Sequence, residues 1–148
     1  MTILKGTIKK GWGAAHQTIA VQMQYLLKAF PDLSKFHVGT INVYLDEPVF
    51  ITQFDVSTPP IKWHHSQDTD RFSFLRVGFQ LDTPGFGVPV DAVIYHAAAS
   101  PHHAAASPNR SDPRFIEIMT RKLNITHDSR CSVHLDRASD RVPAVIPH

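Results

Sequence analysis

At 148 residues, with 43% apolar and 9% aromatic side chains, the chain is long enough for one ordinary core and too apolar for disorder. A formal charge of +2 is too small for a nucleic-acid binder, and Cys131, the lone cysteine, excludes an internal disulfide and a thiolate metal cluster. Neither a signal-peptide run over residues 1–10 nor an apolar stretch of membrane length is present, so a soluble protein with no membrane partner, housed in a reducing cytoplasm, is expected.

Residues 2–9 alternate weakly and predict an opening strand, followed by a glycine-containing loop at Gly11-Trp12-Gly13-Ala14-Ala15-His16. Ile19, Met23, Leu26, Leu27 and Phe30 then form one apolar stripe at helical spacing, with Thr18 as its cap and Pro31 stopping it. Alternation from Thr40 to Leu45 buries Ile41, Val43 and Leu45 and turns Thr40, Asn42 and Tyr44 the other way. Residues 50–56 read as a further strand ended by Pro59-Pro60, and residues 71–81 and 88–96 as two more. The Ala-, Ser-, Pro- and His-rich stretch between His96 and Asp112 is a long loop.

Asp112 and Pro113 have the chemistry of an N-cap and first helical residue, and Phe115, Ile116, Met119 and Leu123 predict a short amphipathic helix with Glu117 off its stripe. A last strand spans 132–135. Strands and helices do not alternate, so the count predicts a mainly β domain over residues 1–136, a small barrel with two or more flanking helices, and a C-terminal tail over 137–148.

The stretch Gly39-Thr40-Ile41-Asn42-Val43 carries the sharpest chemistry. A strand's two-residue period puts the Thr40 hydroxyl and the Asn42 amide on one face, two neutral hard oxygens suited to a Mg²⁺ ion escorting phosphates. Gly39 would let phosphates approach the backbone, although a turn opening an ordinary strand uses the same residues. Lys10, beside Gly11, could reach a phosphate or simply solvate the end of the first strand.

The order of these pieces resembles the archaeal-type CTP-dependent riboflavin kinases over residues 4–135. The likeness rests on the loop at 11–13, the helix ending in Phe30-Pro31, Gly39-Thr40-Ile41-Asn42-Val43-Tyr44-Leu45, and Phe115-Ile116-Glu117-Ile118-Met119 leading to Leu123. The resemblance implies a six-stranded cradle-loop-type barrel that moves the terminal phosphoryl group of CTP to riboflavin, giving FMN. It also implies Mg²⁺ on Thr40 and Asn42, the nucleotide against Lys10, Gly11, Trp12, Gly13, Ala14, His16 and Gly39, and Glu117 near the flavin. No catalytic base stands out, and phosphoryl transfer by positioning and charge neutralisation does not demand one.

Three departures accompany the match. Ala14, Ala15 and His16 stand where the family commonly has an acidic residue and a further glycine; Val38 replaces a proline before Gly39; and Asp128-Ser129-Arg130 replaces an Asp-Gly-Asp turn. A non-catalytic module holding a nucleotide, a flavin or a metal on the same barrel is therefore the alternative. The ten histidines, with pairs at His64-His65 and His102-His103, fit either a metal site or solvated loops, and Trp12 and Trp63 either stack on a ring or anchor the core.

Overall fold

Alternation along the long strands decides the architecture, because each strand must bury one row of side chains inside a ring and turn the other outward. The computed structural model describes residues 2–10, 16–51, 53–63, 69–83, 87–97, 114–126, 128–135 and 144–145. In chain order these form β1 (Thr2–Lys10), α1 (His16–Ala29), a 3-10 turn (Pro31–Lys35), β2 (Ile41–Leu45), β3 (Val49–Phe50) and β4 (Val56–Ser57). There follow β5 (Phe72–Leu81), β6 (Val90–Ala97), β7 (Phe115–Thr120), β8 (Arg130–Leu135) and β9 (Ala144–Val145).

The strands pair antiparallel in the order β5-β6-β7-β2-β1-β8, and β8 pairs back onto β5, so six strands close into a barrel. Its interior is filled by Ile8, Ile41, Val43, Leu75, Val77, Phe79, Ile94, Ile118, Cys131 and Val133, among others. Gly6 of β1 lies tight against β2: a Cβ there would meet the Tyr44 carbonyl oxygen and Val43 Cγ1, each at 2.9 Å. Closure leaves β3 and β4 outside the ring. Among the described residues of the run expected to be one strand over residues 50–56, strand pairing is found at its two ends, Val56–Ser57 on β5 and Val49–Phe50 on β9. The β3–β9 pairing also brings Ala144–Val145, within the expected tail, back to the domain.

A second apolar layer sits outside the barrel. The α1 stripe of Ile19, Met23, Leu26 and Phe30 covers Phe72, Phe74, Val93, Tyr95 and Met119 on the outward faces of β5, β6 and β7. The helix begins at His16 rather than after Thr18, since an apolar stripe sets a helix's phase and not its first residue. Phe30 meets Phe74 edge to face with ring centroids 5.5 Å apart, and the Arg76 guanidinium lies over the Phe30 ring at 4.7 Å.

The helix expected over residues 113–123 is a strand instead. Phe115–Thr120 forms β7 and pairs with both β2 and β6, with Ile116 and Ile118 inside the barrel and Glu117 and Met119 on the outer face. Phe115, Ile116 and Met119 match helical spacing equally well, but only a strand supplies hydrogen-bonding groups to the two open edges on either side. Asp112 and Pro113 lie outside the described residues. Among the described residues the flanking helices are thus one α-helix and one 3-10 turn. No helix among them is long and apolar enough to cross a membrane.

The closing seam carries polar contacts on its outer side. Lys5 Nζ donates to Ser132 Oγ at 2.8 Å and to Asp82 Oδ2 at 3.2 Å, and Ser132 Oγ donates to Asp82 Oδ1 at 2.9 Å. Arg130 grips both Asp46 oxygens, at 2.7 and 2.6 Å, and this hydrogen bonding holds the Asp46 carboxyl below its usual pKa. Asp128 starts the turn into β8 in the left-handed region at φ 64°. Backbone bonds from Asp128 N to Ile8 O and from Ile8 N to Ser129 O, at 2.8 and 2.9 Å, fasten it to β1.

His134 stands on this seam opposite Ile3 and Gly78, and its Nε2 is buried without a hydrogen-bond partner among the described residues. Burial, assisted by Lys5 and opposed by Asp82, pushes its pKa below the ordinary histidine value. A depressed folded-state pKa means that the neutral ring contributes stability above the unfolded pKa, which is lost as pH falls through the folded one. The urea midpoint of the wild type is expected to drop between about pH 7.5 and about pH 5 by more than that of His134→Gln, since the window spans the ordinary histidine pKa. Equal drops would show that His134 protonates freely in the fold.

Candidate functional site

Gly39, Thr40 and Asn42 lead into and along β2, and the backbone explains the glycine. Gly39 has φ 147°, a conformation that L side chains rarely adopt, so another residue there would carry strain of about 1–3 kcal/mol. The turn before it is fixed from β7, where Thr120 O accepts from His37 N at 2.9 Å.

Thr40 then turns its hydroxyl onto the outer face of the barrel, where Oγ1 donates to Glu117 Oε1 at 3.1 Å. Thr40 is 2% exposed and Glu117 7%, whereas Asn42 is half-buried. Asn42 stands in register with Glu117 on one side and with Lys10 on the other, where a bulge between Ile8 and Lys10 shifts the end of β1. Bulges of this kind bend a strand's end and change where its last residues stand.

The polar row continues beyond the residues singled out from sequence. Tyr95 is the register partner of Glu117 on β6, and its hydroxyl donates to Gln22 Oε1 at 2.7 Å. Gln22 is only 1% exposed, held inside α1's apolar face. Sequence reasoning singled out neither residue: Tyr95 lies within the strand expected over residues 88–96, and Gln22 is the neighbour of the stripe residue Met23. A buried hydrogen bond replaces the water each would otherwise lose, and it pins α1 to β6 at one register.

The remaining expected residues divide cleanly. Gly11, Trp12, Gly13 and Ala14 lie outside the described residues, as do His64-His65 and His102-His103. His16 is the first residue of α1, and Lys10, the last of β1, is the register partner of Asn42. Glu117, expected on a helix, sits on a strand and is buried. Trp63 packs into the apolar layer beneath α1, and His96 stacks on Phe54 with ring centroids 5.8 Å apart.

The donor set has a definite chemical character. A hydroxyl and a carboxamide beside a carboxylate are hard oxygens, which suit Mg²⁺ better than Zn²⁺ or Cu²⁺. Among the described residues no three His, Cys, Asp or Glu side chains gather as a transition-metal site would require. Cys131 faces the barrel interior, where burial pushes its thiol up to about 12, far from a reactive thiolate.

Two grooves occupy other parts of the surface and include none of these residues. One, of about 130 Å³, lies between the 3-10 turn and β5 and β6; its charges pair internally, Arg76 with Asp32 at 3.0 Å and Lys35 with Asp91 at 3.3 Å. The other, of about 240 Å³, is lined by Ile3, Leu4, Lys5, Leu45, Asp46, Glu47 and Val49. Neither a known protein-family model nor a curated protein matches the chain.

Proposed function

We propose that the protein is a CTP-dependent riboflavin kinase or a close relative of one, acting in the cytoplasm on small molecules and not on nucleic acid or membranes. What supports the reading is one convergence: the end of β1, the Thr40-Ile41-Asn42 segment and Glu117, singled out separately along the chain, stand on adjoining strands in register. In this reading Thr40 and Asn42 hold Mg²⁺, and Lys10, Gly39 and the residues between Lys10 and His16 receive the nucleotide. Bound Mg²⁺ would neutralise charge on the phosphates. A ribityl hydroxyl oxygen of riboflavin forms the new bond to the terminal phosphorus of CTP, the bond to the CDP oxygen breaks, and the hydroxyl proton leaves to solvent.

The test is direct. Incubation with riboflavin, CTP and MgCl₂, followed by chromatography, is expected to yield FMN and CDP in equal amounts. Absence of FMN together with absence of CTP binding by calorimetry would overturn the reading. A second reading, a nucleotide- or flavin-binding module without turnover, is favoured by the near-complete enclosure of Thr40 and by Ala14 and Ala15 in the loop. CTP or riboflavin binding without product would select it.

A further inference from the structure

We propose that Glu117 is the positioning residue of the cation site, taking the hydrogen of the Thr40 hydroxyl so that the oxygen's remaining lone pairs face the ion. The proposal rests on the kinase reading and gives Glu117 a role different from contact with the flavin. A threonine hydroxyl has one hydrogen and two acceptor lone pairs, while an ionised carboxylate only accepts. With Glu117 ionised, the hydrogen of the 3.1 Å contact lies between Thr40 Oγ1 and Glu117 Oε1. Left to rotate, the same hydroxyl could point that hydrogen at the cation and repel it. With the hydrogen committed to Glu117, it presents only lone-pair density elsewhere.

The surroundings keep this arrangement in place. Glu117 projects from the middle of β7, flanked in register by Asn42 on β2 and Tyr95 on β6, so three strands fix its backbone position. At 7% exposure its side chain has little room for other rotamers, and water screens its charge weakly. A carboxylate in that position also adds negative field next to both oxygens that would hold the ion. Glu117 and Thr40 are 77 residues apart, and Asn42 reaches the same place only through strand pairing, so the fold itself assembles this group.

Calorimetry with CTP at increasing MgCl₂, alongside riboflavin binding followed by flavin fluorescence, separates the alternatives in the wild type, Glu117→Gln and Glu117→Ala. Partners that orient metal ligands typically govern metal affinity by 10–100-fold. The MgCl₂ concentration giving half-maximal CTP binding is accordingly expected to rise about 10-fold in Glu117→Gln and about 100-fold in Glu117→Ala. Riboflavin affinity is expected to stay unchanged in both. Weakened riboflavin binding with an unshifted Mg²⁺ requirement would overturn the positioning role and leave the kinase reading standing. Failure of the wild type to bind CTP at any MgCl₂ concentration would remove the kinase reading and this proposal together. If Glu117→Ala does not fold, Glu117→Gln decides, and an unshifted requirement in that variant overturns the proposal.

Discussion

Phe79→Ala is expected to lower the unfolding free energy by about 3–5 kcal/mol, read as a fall in the urea midpoint at unchanged slope. Phe79 is fully enclosed on the inward row of β5 and stands opposite Val90 of β6 on one side and Val133 of β8 on the other. The ring therefore fills the barrel where the last pairing, β5 with β8, closes it. Alanine would leave a cavity against strands whose hydrogen bonding on both sides prevents collapse, which is the condition for the upper part of that range. A domain of this size has a total stability of about 5–15 kcal/mol, so the loss removes a large share of it. A loss below about 1 kcal/mol would mean that the barrel end is open enough to relax around the gap.

The second large effect concerns Thr40 and Asn42, the oxygen donors of the proposed cation site. Thr40→Ala and Asn42→Ala are each expected to weaken Mg²⁺-dependent CTP binding by at least about 10-fold, and to leave whatever binding persists in EDTA unaffected. Their effects on folding should differ. Asn42 is half-buried, and its removal leaves the hydrogen bond of Thr40 to Glu117 untouched. Removing the Thr40 hydroxyl takes a hydrogen bond from a buried carboxylate, at a cost of about 1–3 kcal/mol. Thr40→Ser keeps the hydroxyl and is the control that separates the two losses. Unchanged CTP affinity in both alanine variants would contradict the assignment.

The barrel was legible because strand period is a strong local signal. Ile41, Val43 and Leu45, and likewise Leu75, Val77, Phe79 and Leu81, alternate strictly, and each set lies inside the ring. The α1 stripe was legible for the same reason, four of its five positions being buried under Phe72 and Phe74. Phe115–Thr120 was misread because Phe115, Ile116 and Met119 satisfy a helical spacing as well as a strand flanked by two partners; local pattern holds no record of which edges await it. At the candidate site, sequence separated what the fold joins. Thr40 and Asn42 followed from one local motif, but the hydrogen bond to Glu117 and the burial of Gln22 against Tyr95 depend on pairings among β2, β6, β7 and α1.

The ring's connectivity also governs when it can form. β1 needs β8 as its outer neighbour, and β5 needs β8 as well, so residues 2–10 and 72–81 both wait for residues 130–135. While only residues 1–100 have left the ribosome, four ring edges lack a partner: those of β2 and β6, which pair with β7, and those of β1 and β5, which pair with β8. Assembly dominated by such distant pairings is intrinsically slow, because a long loop must close before any contact rewards it. The nascent chain thus passes through a stage in which its open edges depend on β7 and β8, the ring's two final strands, for cover.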